Sequence, residues 1–169
     1  LYIFAHCHPD IAIRRAAELG IRCIEHASFI SPQTAEFLAQ KKTYVVPTLA
    51  VVKALNDDGA KLGFPEASVR KLAGMYDAML QGIGYMKKAG VKMGFGTDLL
   101  AQHQERQSME FSLRAEVLPL LEEVLGGGVA HADLLVVDGD PLKDIHVLSK
   151  GGASLPVIMK AGEFHKRLI

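Results

Sequence analysis

The stretch Ile21-Arg22-Cys23-Ile24-Glu25-His26 ends an apolar, strand-like run with a metal-binding side chain, and two other stretches of the chain do the same. Residues 1–6 end in His6, and residues 91–98 end in Asp98. In a barrel of parallel strands, active-site groups lie where strands end and loops begin, so ligands far apart in the sequence converge at one rim. Two imidazoles and a carboxylate in such positions favour a metal-dependent hydrolase.

Helical patterns separate these strands. The sequences Glu18-Leu19-Gly20-Ile21 and Lys88-Ala89-Gly90-Val91 repeat the same order of helix end, glycine and strand start, which predicts successive βα units and a parallel sheet. Four such units amount to half of an eight-stranded barrel. We predict strands over 1–6, 21–26, 44–48 and 91–98, helices over 10–19, 32–42 and 66–88, and a polar insertion over 54–65.

The alternation of predicted strands and helices ends in the last third of the chain. We predict there a polar loop, a helix and two strand-like stretches, over 102–108, 111–124, 132–142 and 156–163. The run Gly126-Gly127-Gly128 is not a phosphate loop, because it lacks the following Lys-Ser/Thr and a preceding strand. We therefore predict two domains, a hydrolase barrel over 1–125 and a small β segment over 126–169.

The composition restricts the class of partner. A chain of 169 residues with 49% hydrophobic and 22% charged residues has the composition of a packed globular domain. Nineteen basic residues balance nineteen acidic ones, and no block of like charge indicates binding to nucleic acid or to an anionic membrane. No apolar run approaches the ~20 residues that a membrane-spanning helix needs. We expect a small-molecule substrate.

The two cysteines and the first residue bear on localisation. Cys7 and Cys23 are too few for a disulfide framework, and two buried free thiols fit a reducing compartment, so we expect a cytoplasmic protein. No cleavable leader is visible, although the chain opens at Leu1 directly in a strand. We interpret it as part of a longer protein.

Five motifs, in order along the chain, carry a resemblance to a known family. They are Ala5-His6-Cys7, Cys23-Ile24-Glu25-His26, Val45-Val46-Pro47-Thr48-Leu49, Met93-Gly94-Phe95-Gly96-Thr97-Asp98 and Ala130-His131-Ala132-Asp133-Leu134-Leu135-Val136-Val137. The chain resembles the amidohydrolase superfamily, in its imidazolonepropionase-like branch, which includes Xaa-Pro dipeptidases and basic-amino-acid carboxypeptidases. The resemblance implies an α/β fold, namely the C-terminal half of a (β/α)8 TIM-like barrel with strands five to eight, plus part of a small β-sandwich domain.

The resemblance also implies a reaction and a ligand set. His6 and His26 would bind the more exposed of two divalent metals, expected to be Zn²⁺, in the binuclear centre of the complete enzyme. Asp98 would bind the other metal and handle the protons of the attacking water as the catalytic residue. The implied activity is that of a metal-dependent amidohydrolase that cleaves a small amide or peptide with metal-activated water, with an Xaa-Pro dipeptide as the expected substrate.

Three further residues are candidates for substrate binding. His8 lies two residues beyond His6 and faces the same side of an extended strand, so it can contact substrate or serve as an extra ligand. His103 and Arg106 follow Asp98 closely, and Arg106 can pair with a substrate carboxylate. Each of the three has an alternative interpretation as a solvated loop residue, and the alternative for Asp98 is a turn or N-cap residue.

A second hypothesis comes from another class of protein. The paired histidines and the bridging lysine that the resemblance implies would precede Leu1, so this chain alone lacks part of the metal centre. It can therefore be a truncated, non-catalytic paralogue that serves as an oligomerisation or metal-binding module. A half-barrel exposes edge strands and an apolar face, and we expect it to form a homo-oligomer.

Overall fold

The computed structural model describes residues 3–118 and 134–169. The chain divides into two compact units, Leu1–His103 and Gln104–Ile169. The first unit holds a three-stranded parallel sheet in the order β1-β2-β3, and the second holds a three-stranded antiparallel sheet in the order β4-β5-β6. Among the described residues, no helix is both long enough and apolar enough to cross a membrane.

The first unit alternates strands and helices. Its strands are β1 (Phe4–Pro9), β2 (Cys23–Phe29) and β3 (Tyr44–Val46), and its helices are α1 (Asp10–Glu18), α2 (Pro32–Lys41), α3 (Leu49–Asp58) and α4 (Glu66–Ala89). Local signals set the helix ends. Ser31 caps α2 by accepting a hydrogen bond from the Thr34 N–H at 3.1 Å, and Gly90 ends α4 with a left-handed φ of 78°.

The helices cover one face of the parallel sheet. Ala5, Ile24 and Val45 form one row across the three strands, and Ile24 and Val45 are fully buried. The neighbouring row, on the opposite face, contains Phe4 and Tyr44, which are 65% and 41% exposed. Parallel sheets are normally covered on both faces, so the face of Phe4 and Tyr44 is an uncovered apolar surface in this chain.

Several predicted boundaries differ from the structure. Strands β1 and β2 continue three residues past their predicted ends. Helix α3 begins at Leu49, where no helix was predicted, and its second half extends into the predicted polar insertion over 54–65. The predicted fourth strand is reduced, in the part of the chain that the structure describes, to a parallel bridge between Met93 and Val45. A physical reason is that Gly94 and Gly96 are weak strand formers.

The second unit begins within a 3-10 helix, Ala101–Arg106, where the sequence suggested a loop. It contains α5 (Met109–Arg114), β4 (Leu134–Val136), a 3-10 turn (Ile145–Val147), β5 (Val157–Lys160) and β6 (Glu163–Arg167). The strands lie inside or beside the two predicted strand-like stretches. The helix predicted over 111–124 is shorter in the structure, because α5 ends at Arg114 and residues 115–118 form a turn and a bend. Residues 119–124 and the predicted domain boundary after residue 125 lie outside the described residues, and that boundary stays a prediction.

Candidate metal centre

Three imidazole rings meet where β1 and β2 run side by side. His26 Nε2 lies 2.7 Å from His6 Nδ1, and the ring centroids of His6 and His8 are 4.6 Å apart. The His8 ring is stacked on that of His26 at 4.9 Å with an angle of 14° between the ring planes. One ligand nitrogen from each ring lies within 4.8 Å of the others, so the three residues form a compact imidazole cluster.

A bulge in β2 brings the rings together. Cys7 pairs with His26, and the next pair is Pro9 with Phe29. His8 of β1 therefore lies opposite two residues of β2, Ala27 and Ser28. His26 and Ala27 have left-handed φ angles of 70° and 48°, which are uncommon outside glycine. Bulges bend a strand and redirect a side chain, and they are frequent next to active sites.

Two buried hydroxyl groups hold the rings in place. Thr48 Oγ1 lies 2.8 Å from His26 Nδ1, and Ser28 Oγ lies 2.8 Å from His8 Nδ1. Both hydroxyl-bearing residues are buried. A ligating histidine nearly always has its second ring nitrogen in a hydrogen bond, usually to a carboxylate, a backbone carbonyl or water, and that bond sets the orientation and tautomer of the ring. In this chain two hydroxyl groups take that position.

The surroundings of two of the rings disfavour their protonated form. Burial lowers the pKa of His26 to about 4, and the positive charges of His6 and His8 act in the same direction. Burial and His6 also lower the pKa of His8. The Asp98 carboxylate opposes both shifts, which places its charge close to the cluster. Neutral imidazoles with a carboxylate nearby are a donor set that suits Zn²⁺ or a similar divalent ion.

The structure thus brings together some of the predicted site residues. His6, His8 and His26 form the cluster, and Asp98, which is exposed and has a left-handed φ of 53°, acts on it electrostatically. His103 is instead buried with its Nε2 3.3 Å from Asp58 Oδ2. It is therefore not the solvated loop residue of the alternative interpretation.

Arg106 belongs to the second unit. It lines a shallow depression there, together with Glu105, Ser108, Ser112 and Ser149. The functional roles of the predicted site residues stay predictions.

Sequence reasoning missed Ser28 and Thr48. Thr48 belongs to the motif Val45-Val46-Pro47-Thr48-Leu49, but nothing in its spacing indicates a hydrogen bond to a histidine 22 positions earlier. Ser28 lies two residues after His26, on a strand that was expected to end at His26. Its contact with His8 depends on the bulge, which no periodic pattern reveals.

Comparison with known proteins found a curated relative but no matching family model. Ochratoxinase of Aspergillus niger is 24% identical over an alignment of 185 residues, which covers 97% of this chain and 38% of that protein. The chain therefore spans less than half the length of the curated relatives it matches.

Solved structures extend the comparison. An amidohydrolase is 41% identical with a TM-score of 0.86, covering 98% of this chain and 45% of that one. A prolidase complexed with N-methylphosphonate-L-proline is 37% identical with a TM-score of 0.88, again covering 98% of this chain and 45% of that one. An Xaa-Pro dipeptidase with bound methionine shares the fold at 24% identity and a TM-score of 0.80, with coverage of 98% and 45%. The resemblance found in the sequence motifs is confirmed, and the chain belongs to the amidohydrolase superfamily.

Proposed function

We propose that this chain contributes part of the active site of a metal-dependent hydrolase that cleaves a small amide or peptide bond. The observation that carries the proposal is the cluster of His6, His8 and His26, with the Asp98 carboxylate close enough to act on two of the rings. Similarity to an amidohydrolase and to a prolidase supports the reaction class.

Each residue has a proposed role. His6 and His26 hold a divalent ion through neutral ring nitrogens, and Zn²⁺ fits that donor set. When bound, such an ion polarises a carbonyl and lowers the pKa of a water molecule toward ~7. Asp98 would bind the other divalent ion of the complete enzyme, and its carboxylate accepts a proton from the attacking water and passes it to the leaving amine. The exposed position of Asp98 leaves it accessible to substrate.

The proposed substrate is a dipeptide with C-terminal proline. The prolidase with 37% identity was solved with a phosphonate analogue that contains L-proline, and this is the support for the choice. Small-molecule binding of this kind also agrees with the balanced charge of the chain.

We also propose a finer description of the fold. The three parallel strands and the bridged segment around Met93 have the order expected of four consecutive strands in a (β/α)8 barrel, and the second sheet is proposed as part of a β-sandwich. Helices cover one side of the parallel sheet, whereas Phe4 and Tyr44 on the other side are exposed. In a barrel this second side would face the interior.

The uncovered side also favours a second candidate, a non-catalytic module that binds metal or forms a homo-oligomer. A surface of this kind is typical of an interaction site. The two candidates differ in one measurable respect, because the module holds metal or self-associates without hydrolysing peptide or acyl-amide bonds.

Metal content and turnover test the proposal together. We would measure zinc by elemental analysis and hydrolysis of Xaa-Pro dipeptides and acyl amino acids by the purified protein. His6→Ala and His26→Ala are expected to lose metal and most activity, and Asp98→Asn is expected to lose rate while the circular dichroism spectrum stays unchanged. Unaltered turnover in all three variants would overturn the proposed site, and bound metal without any turnover would favour the non-catalytic module.

A further inference from the structure

We infer that His8 is a third metal ligand and that Ser28 is the residue that positions its ring. This inference rests on the metal site of the proposed function and extends it, since that site uses His6 and His26 alone among the histidines. It means that a single divalent ion is held by three imidazoles that all come from this chain.

The first support is the position of the His8 ring. It contacts both other rings, edge-on to His6 at 4.6 Å and stacked on His26 at 4.9 Å. Its donor nitrogen lies in the same 4.8 Å group as those of His6 and His26. A histidine that only contacted substrate would not need to be packed against both proposed ligands.

The second support is the contact with Ser28. The Ser28 residue is fully buried, and its Oγ lies 2.8 Å from His8 Nδ1. If Nδ1 carries the ring proton and donates it to this oxygen, the Nε2 lone pair is free to bind a metal. The bulge in β2 creates this arrangement, because it inserts a residue just before Ser28 opposite His8.

The third support is the match between His8 and His26. Both rings have Nδ1 at 2.8 Å from the hydroxyl of a buried residue, Ser28 for one and Thr48 for the other. Nearly all ligating histidines have a hydrogen bond at the second ring nitrogen, and in both of these rings a hydroxyl group is the partner. The shared arrangement indicates a shared role for the two rings.

The donor set has a chemical consequence. Catalytic zinc sites commonly use three protein ligands and keep one position open for water or substrate. The cluster supplies three nitrogen donors, so the chain has enough ligands to retain one ion at an open site. We expect one equivalent of Zn²⁺ or Co²⁺ per chain.

Metal titration of the chelator-treated protein tests the inference without any activity measurement. Co²⁺ binding is followed by its visible absorption, and Zn²⁺ affinity is measured by competition with a chromogenic chelator. His8→Ala is expected to weaken Zn²⁺ binding by at least about 100-fold, and Ser28→Ala by about 10- to 100-fold with an altered Co²⁺ spectrum. Ser28→Thr retains a hydroxyl and is expected to restore much of the affinity.

Further variants separate the possible outcomes. His165→Ala changes an exposed histidine of the second unit and serves as the control with unchanged affinity. If His8→Ala does not fold, His8→Asn replaces it, since an amide N–H can still donate to Ser28. Wild-type affinity in a folded His8 variant, with loss in His6→Ala and His26→Ala, would overturn the inference and leave the proposed function intact. Wild-type affinity in all three would overturn both.

Discussion

His6 and His26 contact each other through ring nitrogens 2.7 Å apart, although the pairing of the strands places them in different rows of the sheet. His6 is opposite Glu25, and His26 is opposite Cys7. In a regular sheet, residues of adjacent rows point to opposite faces. The left-handed φ of 70° at His26 breaks this alternation. The site therefore depends on a local backbone conformation as well as on the position of the ligands in the sequence.

That conformation leads to a prediction for Ala27. Ala27 is buried and has a φ of 48°, a region that costs a non-glycine residue roughly 1–2 kcal/mol. Ala27→Gly is expected to change the free energy of unfolding by less than about 1 kcal/mol, because relief of this strain offsets the greater entropy of glycine. Ala27→Val is expected to destabilise the protein by about 2 kcal/mol or more, and to weaken metal binding.

Urea unfolding with a volume control checks this prediction. Ala35→Val adds the same two methyl groups at a fully buried position of α2, where the backbone is helical. The difference between the two valine variants isolates the backbone contribution. Equal destabilisation at both positions would show that the left-handed conformation of Ala27 has no energetic consequence.

The sequence predicted the parts of this structure that depend on periodic hydrophobic patterns and on residues that begin or end helices. Helix α2 follows its predicted bounds to within one residue, since Ser31, Pro32 and the left-handed C-cap at Lys42 are local signals. It also predicted that His6 and His26 would lie at neighbouring strands. The sequence did not predict the bulge after His26, because a one-residue irregularity of the backbone does not change the hydrophobic pattern of the strand. Helix α3 was missed because its apolar residues are followed by polar ones near its end.

Thr48 is expected to control metal affinity through His26. Its hydroxyl contacts His26 Nδ1 and makes no capping bond to α3, so Thr48→Val removes the contact without removing a helix cap. We expect Zn²⁺ affinity to fall about 10- to 100-fold, with a stability loss of about 1 kcal/mol. Chelator competition measures the first quantity and urea unfolding the second.

A matched variant separates the two effects of Thr48→Val. Thr34 is also buried, but its hydroxyl donates to Asp10 Oδ2 at 3.0 Å. Thr34→Val is expected to lower stability by a similar amount and to leave Zn²⁺ affinity unchanged. Equal loss of affinity in both variants would mean that Thr48 acts through general stability.

Two glycines of α4 are expected to respond oppositely to alanine. A Cβ at Gly82 would lie 2.9 Å from Ile30 Cγ2, whereas a Cβ at Gly84 meets no atom within 4 Å. Gly84→Ala is expected to stabilise the protein by about 0.5–1 kcal/mol, because alanine is the better helix former. Gly82→Ala is expected to destabilise it by about 1–2 kcal/mol, since overpacking exceeds that gain. Thermal unfolding of both variants provides the test, and a stabilised Gly82→Ala would contradict the close packing of α4 on the segment after β2.

The thiol of Cys23 is expected to react slowly at neutral pH. Burial, followed by the charge and hydrogen bond of Glu25, raises the pKa of Cys23 from 9.0 to about 11. The Cys23 Sγ lies 3.6 Å from Glu25 Oε1. Because only the thiolate attacks iodoacetamide, alkylation of folded Cys23 is expected to increase mainly above pH 9, whereas the unfolded thiol ionises near its ordinary pKa of 9.0.

The raised pKa of Cys23 makes the stability of the folded protein depend on pH. Between pH 9 and pH 11 the unfolded chain loses this proton while the folded chain retains it, so the contribution of Cys23 is present below pH 9 and is lost as the pH rises to 11. Glu25→Gln is expected to lower the pKa of Cys23 and to speed alkylation at pH 9. Peptide-level mass spectrometry measures the alkylation rate of Cys23 separately from that of Cys7. An unchanged alkylation rate in Glu25→Gln would show that Glu25 does not raise the pKa of Cys23.

The uncovered face of the parallel sheet predicts self-association that depends on Phe4. Phe4 is 65% exposed and lines an apolar depression with Ile3, Tyr44 and Val46. Burying a phenylalanine side chain in a contact is worth about 1.5–3 kcal/mol at full burial, so Phe4→Ser is expected to weaken association about tenfold or more. The fold should lose little stability, because the side chain is already exposed.

Sedimentation velocity over a range of protein concentrations measures this effect. Ile11→Ser is the matched control, since Ile11 is 79% exposed on α1, a helix that covers the other face of the sheet. It is expected to leave association unchanged while removing a comparable apolar side chain. If Ile11→Ser and Phe4→Ser weaken association equally, self-association reflects general surface hydrophobicity, and the sheet face is not the interface.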